Sequence, residues 1–285
     1  MMAAQLVTLP AIERLSPRVI RILGGNPGKF TLQGTNTYLI GTGRRRILID
    51  TGEGRRAWLD DLKATLEKEN AIVESALISH WHYDHVNGIE DLRGLSPGVR
   101  IYKNEPGKDQ LAIEDGQTFE TEGATLTASH TPGHTTDHMT FWLAEEGSMF
   151  TADNVLGQGT AVFENLGVYL SSLDKMRSIF KTKGRAYPGH GPVLEDGLSK
   201  IVEYIEHRKQ REEQVVRTLR TRKDEGGVAW TAMEIVKVVY ADVREDLHPA
   251  ACGGVVQILE KLKAEGKVEQ GGESQWQLTS HSPSL

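Results

Sequence analysis

The sequence predicts an α/β protein in which packed sheets are flanked by helices, and three observations lead to this class. Short apolar segments bounded by turn residues, such as Ile72–Ile78, are typical of strands and recur up to about residue 195. Apolar residues at helical spacing predict helices over Ala57–Lys68 and Leu166–Lys181. The strands come in neighbouring pairs with helices between the pairs. This order favours a sandwich of sheets with helices outside.

The individual strands are predicted from their apolar or alternating composition. In chain order they cover Arg18–Leu23, Thr37–Ile40, Arg46–Asp50, Ile72–Ile78, Thr125–Ala128, Met139–Leu143, Ser148–Thr151 and Arg185–Tyr187. Gly41–Gly43 separates the second strand from the third and predicts a hairpin. The helix over Ala57–Lys68 is indicated by Trp58, Leu62 and Leu66, which recur at helical spacing.

The character of the sequence changes near residue 195, where charged helices replace the strand pairs. The predicted elements there are helices over Leu198–Arg222, Thr231–Tyr240 and Gly254–Glu265, and a hairpin of Lys267–Glu269 with Gln275–Leu278. Thr231 and Glu234 have the spacing of a capping box. Two helices followed by a hairpin predict a small winged-helix-like appendage. We therefore expect two domains, residues 1–195 and 196–285, with His281–Leu285 disordered.

Composition is that of an ordinary globular protein, with 38% hydrophobic and 25% charged residues in a chain of 285. The net charge of −6 argues against nucleic-acid binding by bulk electrostatics. The sequence lacks both an apolar run of about 18 residues and a signal-peptide pattern, so we expect neither a membrane span nor secretion. The single cysteine, Cys252, fits a reducing compartment. These points predict a cytoplasmic protein, with a mitochondrial location left open.

The most informative segment is an H-x-H-x-D-H cluster at residues 80–85, directly after the predicted strand Ile72–Ile78. Its candidate metal ligands are His80, His82, Asp84 and His85. Imidazole and carboxylate groups are the ligands that zinc and other borderline divalent metals prefer. The alternative is a polar loop that happens to be rich in histidine, but four candidate ligands within six positions weigh against it. The cluster predicts metal-assisted hydrolysis.

Three further candidate ligands each stand where a predicted strand meets a loop. They are His134 after Pro132-Gly133, Asp153 after Phe150–Ala152, and His190 after Pro188-Gly189. Glycine and proline allow the sharp turns and the close backbone approach that a metal site needs. Taken singly, each candidate fits a hydrogen-bonded loop residue better than a ligand. Their order and their contexts together favour a metal site.

Together these motifs resemble those of the metallo-β-lactamase superfamily, over roughly Arg18–Leu194. The matching motifs are H-x-H-x-D-H, T-P-G-H, an aspartate after a strand, and P-G-H. The resemblance implies a four-layer αββα sandwich with the site at one edge of its two sheets. The implied ligands are His80, His82 and His134 for a first metal, Asp84, His85 and His190 for a second, and Asp153 as the bridge. Asp50 is implied to support the histidine cluster.

The same resemblance implies the chemistry. Water shared by two zinc ions would lose a proton near neutral pH, and the resulting metal-bound hydroxide would attack an electrophilic carbon or phosphorus. Asp84 and Asp153 are the predicted catalytic residues, because either carboxylate could hold or move the proton. Nitrogen and oxygen ligands without a thiolate suit zinc, but they also suit manganese or iron. The identity of the metal is therefore left open among these three.

Finer resemblance points to one subgroup of this superfamily. The segments that carry it are Leu23–Gly28, Leu32–Leu39, Thr131–Met139 and Asp153–Gly157. This subgroup contains fungal thioesterases that release aromatic polyketides from an acyl carrier protein. It also contains animal endoribonucleases of the lactamase-β-2-like type. Both kinds carry a small winged-helix-like C-terminal part, as this chain is predicted to do.

We favour thioester hydrolysis, with the acyl carrier protein domain of a polyketide synthase as partner, over cleavage of single-stranded RNA. An RNA groove needs cationic and aromatic surfaces, whereas this chain is acidic and only 6% aromatic. Asp153–Gly157 and Ile101–Pro106 resemble the fungal group more closely, but Gly159–Glu164 resembles the animal one. A non-catalytic binding member of the fold is a third alternative, which the intact ligand set opposes. The acyl group and a homodimer are left open.

Two residues beside the ligands are candidates for substrate contact. Asn87 stands where relatives usually have the first of two glycines. Because an amide residue adopts φ > 0 more readily than most, Asn87 either keeps the loop shape or contacts substrate. Tyr83 either narrows the mouth of the site or packs on the adjacent loop.

Overall fold

The structure is a computed structural model that describes residues 6–221 and 229–279. These residues form two compact units. The first unit contains residues 6–163 and 168–202, and the second contains residues 164–167, 203–221 and 229–279. The domain boundary at residue 195 stays a prediction. The segment His281–Leu285, for which disorder is predicted, lies outside the described residues.

A seven-stranded sheet forms one half of the first unit, and its strands lie side by side in chain order. They are β1 Ile12–Ser16, β2 Val19–Leu23, β3 Asn36–Ile40, β4 Arg45–Ile49, β5 Ile72–Ile78, β6 Arg100–Lys103 and β7 Leu111–Ala112. The pairs from β1 to β4 are antiparallel, and those from β4 to β7 are parallel. Parallel neighbours need crossover connections. Helix α1 (Arg56–Glu69) connects β4 to β5, and α2 (Tyr83–Val86) and α3 (Ile89–Leu95) connect β5 to β6.

The second sheet of this unit has five strands. They are β8 Thr118–Thr121, β9 Ala124–His130, β10 Met139–Leu143, β11 Ser148–Ala152 and β12 Ala186–Pro188. Their order in the sheet is β12-β11-β10-β9-β8. The pair of β11 and β12 is parallel, and helix α4 (Leu166–Ile179) lies between them in the chain.

Two buried apolar layers explain how these elements pack. Between the sheets, Tyr38 and Leu77 of the first sheet form one cluster with Phe141 and Phe150 of the second. The rings of Tyr38 and Phe150 meet edge to face, with centroids 5.1 Å apart. On the other face of the first sheet, Trp58 of α1 is completely buried in a separate cluster. The first sheet therefore has a helix on its outer side.

Strand β10 shows how alternation sorts side chains between layers. Phe141 lies in the core that the two sheets share, whereas the next residue, Trp142, contacts Phe180 at the end of α4. Successive side chains of a strand point to opposite faces, so α4 covers the outer face of the second sheet. The layers are helix, sheet, sheet and helix. The predicted αββα sandwich is confirmed.

The second unit has the predicted helices followed by a hairpin. Its elements are most of α5 Gly197–Arg220, then β13 Trp230–Thr231, α6 Ala232–Val239, a 3₁₀ turn Glu245–Leu247, α7 His248–Ala264, β14 Val268–Gln270, a 3₁₀ turn Gly272–Ser274 and β15 Gln275–Leu278. The strands form a small sheet in the order β13-β15-β14. Thr231 and Glu234 form the predicted capping box at the start of α6. The winged-helix prediction is confirmed.

One helix start was predicted wrongly. Helix α7 begins at His248, six residues before the predicted start at Gly254. Pro249 lies in the first turn of this helix, where proline is tolerated because its missing N–H has no partner there anyway. Gly253 and Gly254 each lower helix propensity by only about 1 kcal/mol, which tertiary packing outweighs.

The predicted strands and helices of the first unit are all present, with ends shifted by at most two residues. Sequence patterns missed β1, α2, α3 and the run from β6 to β8. Periodicity cannot be recognised within β7, which has only two residues, or within α2, which has four, whereas β1 is as long as the predicted β2 and was missed all the same. In the described ranges, no helix is both long and apolar enough to cross a membrane.

Gly88, which precedes α3, occupies a tight position behind the histidine cluster. A Cβ there would meet the backbone oxygen of Thr51 at 2.0 Å and the ring of Trp58 at 2.7 Å. Its φ of −82° suits any residue, so the constraint is space. We expect Gly88→Ala to lower the free energy of unfolding by about 3 kcal/mol, because a backbone atom cannot rotate away from the new methyl group. Chemical denaturation measures the change.

Gly94→Ala within α3 is the matched control, since a Cβ at Gly94 meets nothing within 4 Å. Alanine favours helix over glycine, so this variant should gain about 0.5–1 kcal/mol. Wild-type stability in the Gly88→Ala variant would contradict the packing described for Thr51 and Trp58.

Candidate metal centre

The seven predicted metal ligands lie together at one edge of the first unit, where several strands end. Residues 80–85 follow β5, Asp153 follows β11, and His190 follows β12. His134 lies in the loop between β9 and β10. The candidate donor atoms form two groups, and within each group they lie within 4.8 Å of one another: His80, His82, His134 and Asp153 in the first, and Asp84, His85 and His190 in the second.

In the first group, three imidazole nitrogens converge. Nδ1 of His82 lies 3.0 Å from Nε2 of His80 and 3.1 Å from Nε2 of His134. Tetrahedral zinc with nitrogen ligands at about 2.0–2.1 Å would place those nitrogens about 3.3 Å apart. The observed spacing is therefore close to that of three ligands of one metal ion.

In the second group, a carboxylate faces two imidazoles. Oδ2 of Asp84 lies 3.4 Å from Nε2 of His85 and 3.3 Å from Nε2 of His190. Asp153 faces both groups, because its Oδ2 is 3.2 Å from Nε2 of His190 and 3.6 Å from Nε2 of His134. This position suits the bridging role predicted for Asp153.

Three histidines form hydrogen bonds through the ring nitrogen that faces away from the donor groups. These bonds fix which nitrogen of each neutral ring has no proton. Nδ1 of His134 donates to the carbonyl oxygen of Val162 at 2.7 Å. Nδ1 of His85 donates to Oδ2 of Asp50 at 2.7 Å, and Nδ1 of His80 donates to Oγ of Ser79 at 2.9 Å. In the neutral form of each ring the proton is on Nδ1 and the Nε2 lone pair points into the site, which is the tautomer that a metal ligand needs.

Asp50 connects the two donor groups. Its Oδ2 accepts from His85 of the second group and from the hydroxyl of Ser79 at 2.8 Å. Ser79 in turn holds His80 of the first group, and its backbone N–H donates to Oδ1 of Asp50 at 2.7 Å. Asp50 has a left-handed φ of 59°, which aspartate tolerates better than most residues. The supporting position predicted for Asp50 matches this geometry.

Sequence reasoning missed the residue that orients Asp84. Thr35 donates from Oγ1 to Oδ2 of Asp84 at 2.9 Å, and Asn26 donates from Nδ2 to Oγ1 of Thr35 at 3.0 Å. Both residues lie in the segments that resemble the subgroup, at 23–28 and 32–39. That resemblance was the available signal, but the 49 positions between Thr35 and Asp84 hid the contact.

No role was predicted from the sequence for another buried histidine, His138, either. Its Nε2 accepts the backbone N–H of Asp153 at 3.3 Å, while its Nδ1 donates to Oγ1 of Thr131 at 3.1 Å. Burial holds the pKa of His138 well below 6.5, so the ring is neutral and can accept this bond. His138 therefore fixes the backbone that carries Asp153.

Charges in the site shift the pKa values of its groups in opposite directions. Burial alone would lower the pKa of His85, but Asp153, Asp50 and Asp84 outweigh it and hold this pKa well above 6.5. Burial likewise would raise the pKa of Asp84, but His85 and His190 hold it at about 2. The carboxylates are thus ionised at neutral pH, and the site attracts positive charge.

Two buried atoms test whether these residues fit a metal. Nε2 of His85 and Oδ1 of Asp153 have no hydrogen-bond partner among the described residues, although they lie 3.5 Å apart. The raised pKa of His85 places a second proton on Nε2 in the metal-free protein, while Asp50 keeps the other proton on Nδ1. When the Nε2 proton leaves, a lone pair faces a carboxylate oxygen across this gap, so a metal cation must take the place of the proton. The donor set therefore fits a divalent metal.

The two predicted substrate residues lie beside this site. Asn87 is exposed and has φ of −67°, so the left-handed conformation considered for it is wrong. Asn87 ends the short helix α2 in the right-handed region, which any residue adopts. Tyr83, the first residue of α2, is 57% exposed. Contact of either residue with substrate stays a prediction.

Comparison with known families agrees with this geometry. A family model described as "Metallo-beta-lactamase superfamily" matches residues 30–109 and 95–190, more than half of the chain. The chain belongs to the metallo-β-lactamase superfamily. A second family model, "Beta-lactamase associated winged helix domain", matches residues 231–276, where the structure has its small three-stranded sheet.

Relatives within the superfamily match nearly the whole chain. The chain is 45% identical over 281 residues to "Atrochrysone carboxyl ACP thioesterase" of Aspergillus chevalieri, covering 96% of this chain and 91% of the relative. It is 43% identical over 286 residues to "Lactamase-like protein aptB" of Emericella nidulans, covering 97% and 92%. A solved beta-lactamase domain protein from Burkholderia ambifaria has a TM-score of 0.79 at 17% identity and covers 95% of each chain. That last likeness shows the fold alone.

We expect Asp50→Asn to weaken metal binding about 10-fold to 100-fold, although Asp50 is outside the donor groups. The new amide would turn an N–H toward either Ser79 or His85, each of which donates to Asp50. Competition with a coloured chelator at fixed pH measures the affinity. Asp60→Asn is the control, because Asp60 is an exposed partner of Arg56 on α1. Equal affinity in the two variants would contradict the connecting role of Asp50.

Metal binding at pH 7 should displace about one proton from His85, because its raised pKa keeps it protonated in the metal-free protein. His80 should release none, since burial and the neighbouring His85 hold its pKa well below 6.5. Calorimetric titrations in buffers of different ionisation enthalpy count the protons. The count should fall as the pH rises through the raised pKa of His85.

The Asp50→Asn variant separates this proton from any released by bound water. Removing the charge of Asp50 lowers the pKa of His85, so the variant should release fewer protons at pH 7 than the wild type. A proton count that does not change in this variant would contradict the assignment to His85.

Proposed function

We propose that this protein is a metal-dependent thioesterase that releases a polyketide acyl group from an acyl carrier protein. The observation that carries the proposal is the pair of donor groups that share Asp153. It suits a hydrolytic centre of the superfamily to which the chain belongs. The substrate class is supported by the printed names of relatives at 44–45% identity, which call them atrochrysone carboxyl ACP thioesterases.

We assign the ligands as the sequence predicted them. His80, His82 and His134 would hold one cation, and Asp84, His85 and His190 would hold the other, with Asp153 between them. The set of nitrogen and oxygen donors favours zinc and also accepts manganese or iron. A bound pair of such cations would lower the pKa of water and polarise the thioester carbonyl.

The residues of the chain then orient the reactants. The ionised carboxylates of Asp84 and Asp153 accept hydrogen bonds from the attacking water and direct its oxygen at the carbonyl carbon. His85 and His190 hold the pKa of Asp84 at about 2 in the metal-free protein, and a bound cation would also favour the ionised carboxylate, so orientation is its main contribution. Thr35 keeps Oδ2 of Asp84 in place during this step.

The leaving group suits this arrangement. Hydrolysis adds the water oxygen to the carbonyl carbon, breaks the carbon–sulfur bond and leaves a carboxylic acid and a thiol. A thiol has a pKa of about 8.5, so the thiolate departs without a dedicated proton donor. Two acidic residues that stay ionised are therefore sufficient on the protein side.

Other predictions have less support. The names of the reported relatives give no support to RNA cleavage, and a homodimer stays a prediction. The cytoplasmic location also stays a prediction. The non-catalytic alternative conflicts with the complete donor set at the strand ends.

The decisive experiment offers the purified, metal-loaded protein a polyketide acyl group on an acyl carrier protein. We expect release of the free acid, and we expect a chelator to abolish it and added divalent metal to restore it. Asp153→Ala should lower the rate at least about 1000-fold, because both donor groups lose a shared oxygen ligand. Mass spectrometry of the carrier protein measures the loss of the acyl group.

Asp60→Ala is the control variant and should keep wild-type activity, since Asp60 is an exposed surface residue. Labelled single-stranded RNA is offered to the same preparation. Cleavage of RNA without release of any acyl group would replace the thioesterase proposal with the ribonuclease one. Full activity of Asp153→Ala would contradict the shared-ligand assignment.

A further inference from the structure

The most exposed aromatic side chains of the first unit lie in segments that carry the metal donors or orient them. Among the described residues, those most exposed to water are Phe30, Tyr83 and Trp81, with 69%, 57% and 50% of their surface accessible. Trp81 and Tyr83 flank His82 in the chain. Phe30 lies in the loop between Asn26 and Thr35, the pair that orients Asp84. Exposed aromatic surface grouped beside a polar site indicates a binding surface.

Trp81 has the most direct contact with the donor groups. Its ring packs on the imidazole of His82 at a centroid distance of 4.5 Å and an angle of 69°. His82 turns Nδ1 inward, toward His80 and His134, and is itself only half buried. The indole therefore contacts a candidate metal donor while half of its surface stays open to solvent.

The remaining side of the mouth is also apolar. The carbonyl oxygen of Val162 accepts a hydrogen bond from Nδ1 of His134, and 64% of the surface of Val162 is exposed to solvent. Apolar residues thus contact two of the donor histidines, His82 and His134. A substrate whose carbonyl reaches these donors would place its adjoining carbon skeleton on Trp81 or Val162.

We propose that Trp81 is a specificity-determining residue, whose exposed indole face binds the aromatic part of the acyl group beside the reacting carbonyl. This inference rests on the proposed thioesterase function. The reactive carbonyl must reach the cations that the donor groups would hold. The carbon skeleton attached to it, by contrast, is apolar and flat in an aromatic polyketide. An indole offers a large flat surface, and aromatic pairs gain stability beyond that of buried area alone.

A purely structural role makes a different prediction. If Trp81 only supported His82, its loss would weaken metal binding and would reduce activity on every substrate alike. If Trp81 binds the acyl group, its loss affects aromatic substrates selectively and leaves the metal in place. The two roles are therefore separated by measuring metal content together with substrate preference.

The experiment compares wild type, Trp81→Ala and Trp81→Phe on two thioesters of the same pantetheine thiol, one with a naphthoyl and one with an acetyl group. For Trp81→Ala we expect KM for the naphthoyl thioester to rise about fivefold to tenfold, with KM for the acetyl thioester unchanged. Metal content should equal that of the wild type. Trp81→Phe should restore most of the preference, because it keeps an aromatic face.

Ile72→Ala is the matched control for loss of exposed apolar surface. Ile72 is 46% exposed and begins β5, whereas the donors follow the end of that strand, about 20 Å away. It should change neither KM. Equal loss on both thioesters, loss of metal, or an unchanged naphthoyl preference in Trp81→Ala would each overturn the proposal.

A binding measurement separates this inference from the proposed function. The naphthylmethyl thioether of the same pantetheine thiol, which lacks the carbonyl group and cannot be hydrolysed, is titrated into the metal-loaded proteins by calorimetry. We expect its Kd to rise about fivefold to tenfold in Trp81→Ala and little in Ile72→Ala. If the wild type cleaves neither thioester and also releases no acyl group from the acyl carrier protein, the proposed function fails. If it cleaves both but Trp81→Ala binds the analogue as tightly as wild type, only the role of Trp81 fails.

Discussion

The carboxylate of Asp50 is the interaction on which the geometry of the metal centre depends. It accepts one hydrogen bond from His85 and another from Ser79, which itself accepts a hydrogen bond from His80, so one buried side chain sets the orientation of an imidazole in each donor group. Asp50 itself is placed by β4 and a left-handed turn, next to the end of β5. A shift of these two parallel strands would misplace both groups together.

The second sheet completes the site, because Asp153 and His190 come from β11 and β12. They meet the histidines that follow β5 only when the two sheets pack against each other through the core around Phe141 and Tyr38. The backbone of Gly189 also packs tightly against Asp153, because a Cβ at Gly189 would lie 2.1 Å from Oδ1 of Asp153. The affinity of the site for a metal is thus linked to the packing of the whole sandwich.

The donor residues could be predicted from the sequence because each is marked locally. Residues 80–85 lie within one turn-forming motif, and His134 and His190 follow Pro-Gly pairs at strand ends. Ser79, Thr35 and His138 could not be assigned, because their roles consist of hydrogen bonds to residues brought near by folding. The long strands were predictable from periodicity, whereas β6 to β8 were too short to show any.

The raised pKa of His85 has a consequence for how the protein matures. The three carboxylates around His85 would repel one another if its imidazole were neutral, but a protonated His85 balances part of their charge. We therefore expect the sandwich to fold before a metal ion is bound. Loading would then exchange a proton for a cation within a finished scaffold. Metal supply would control the activity of the protein more than its folding.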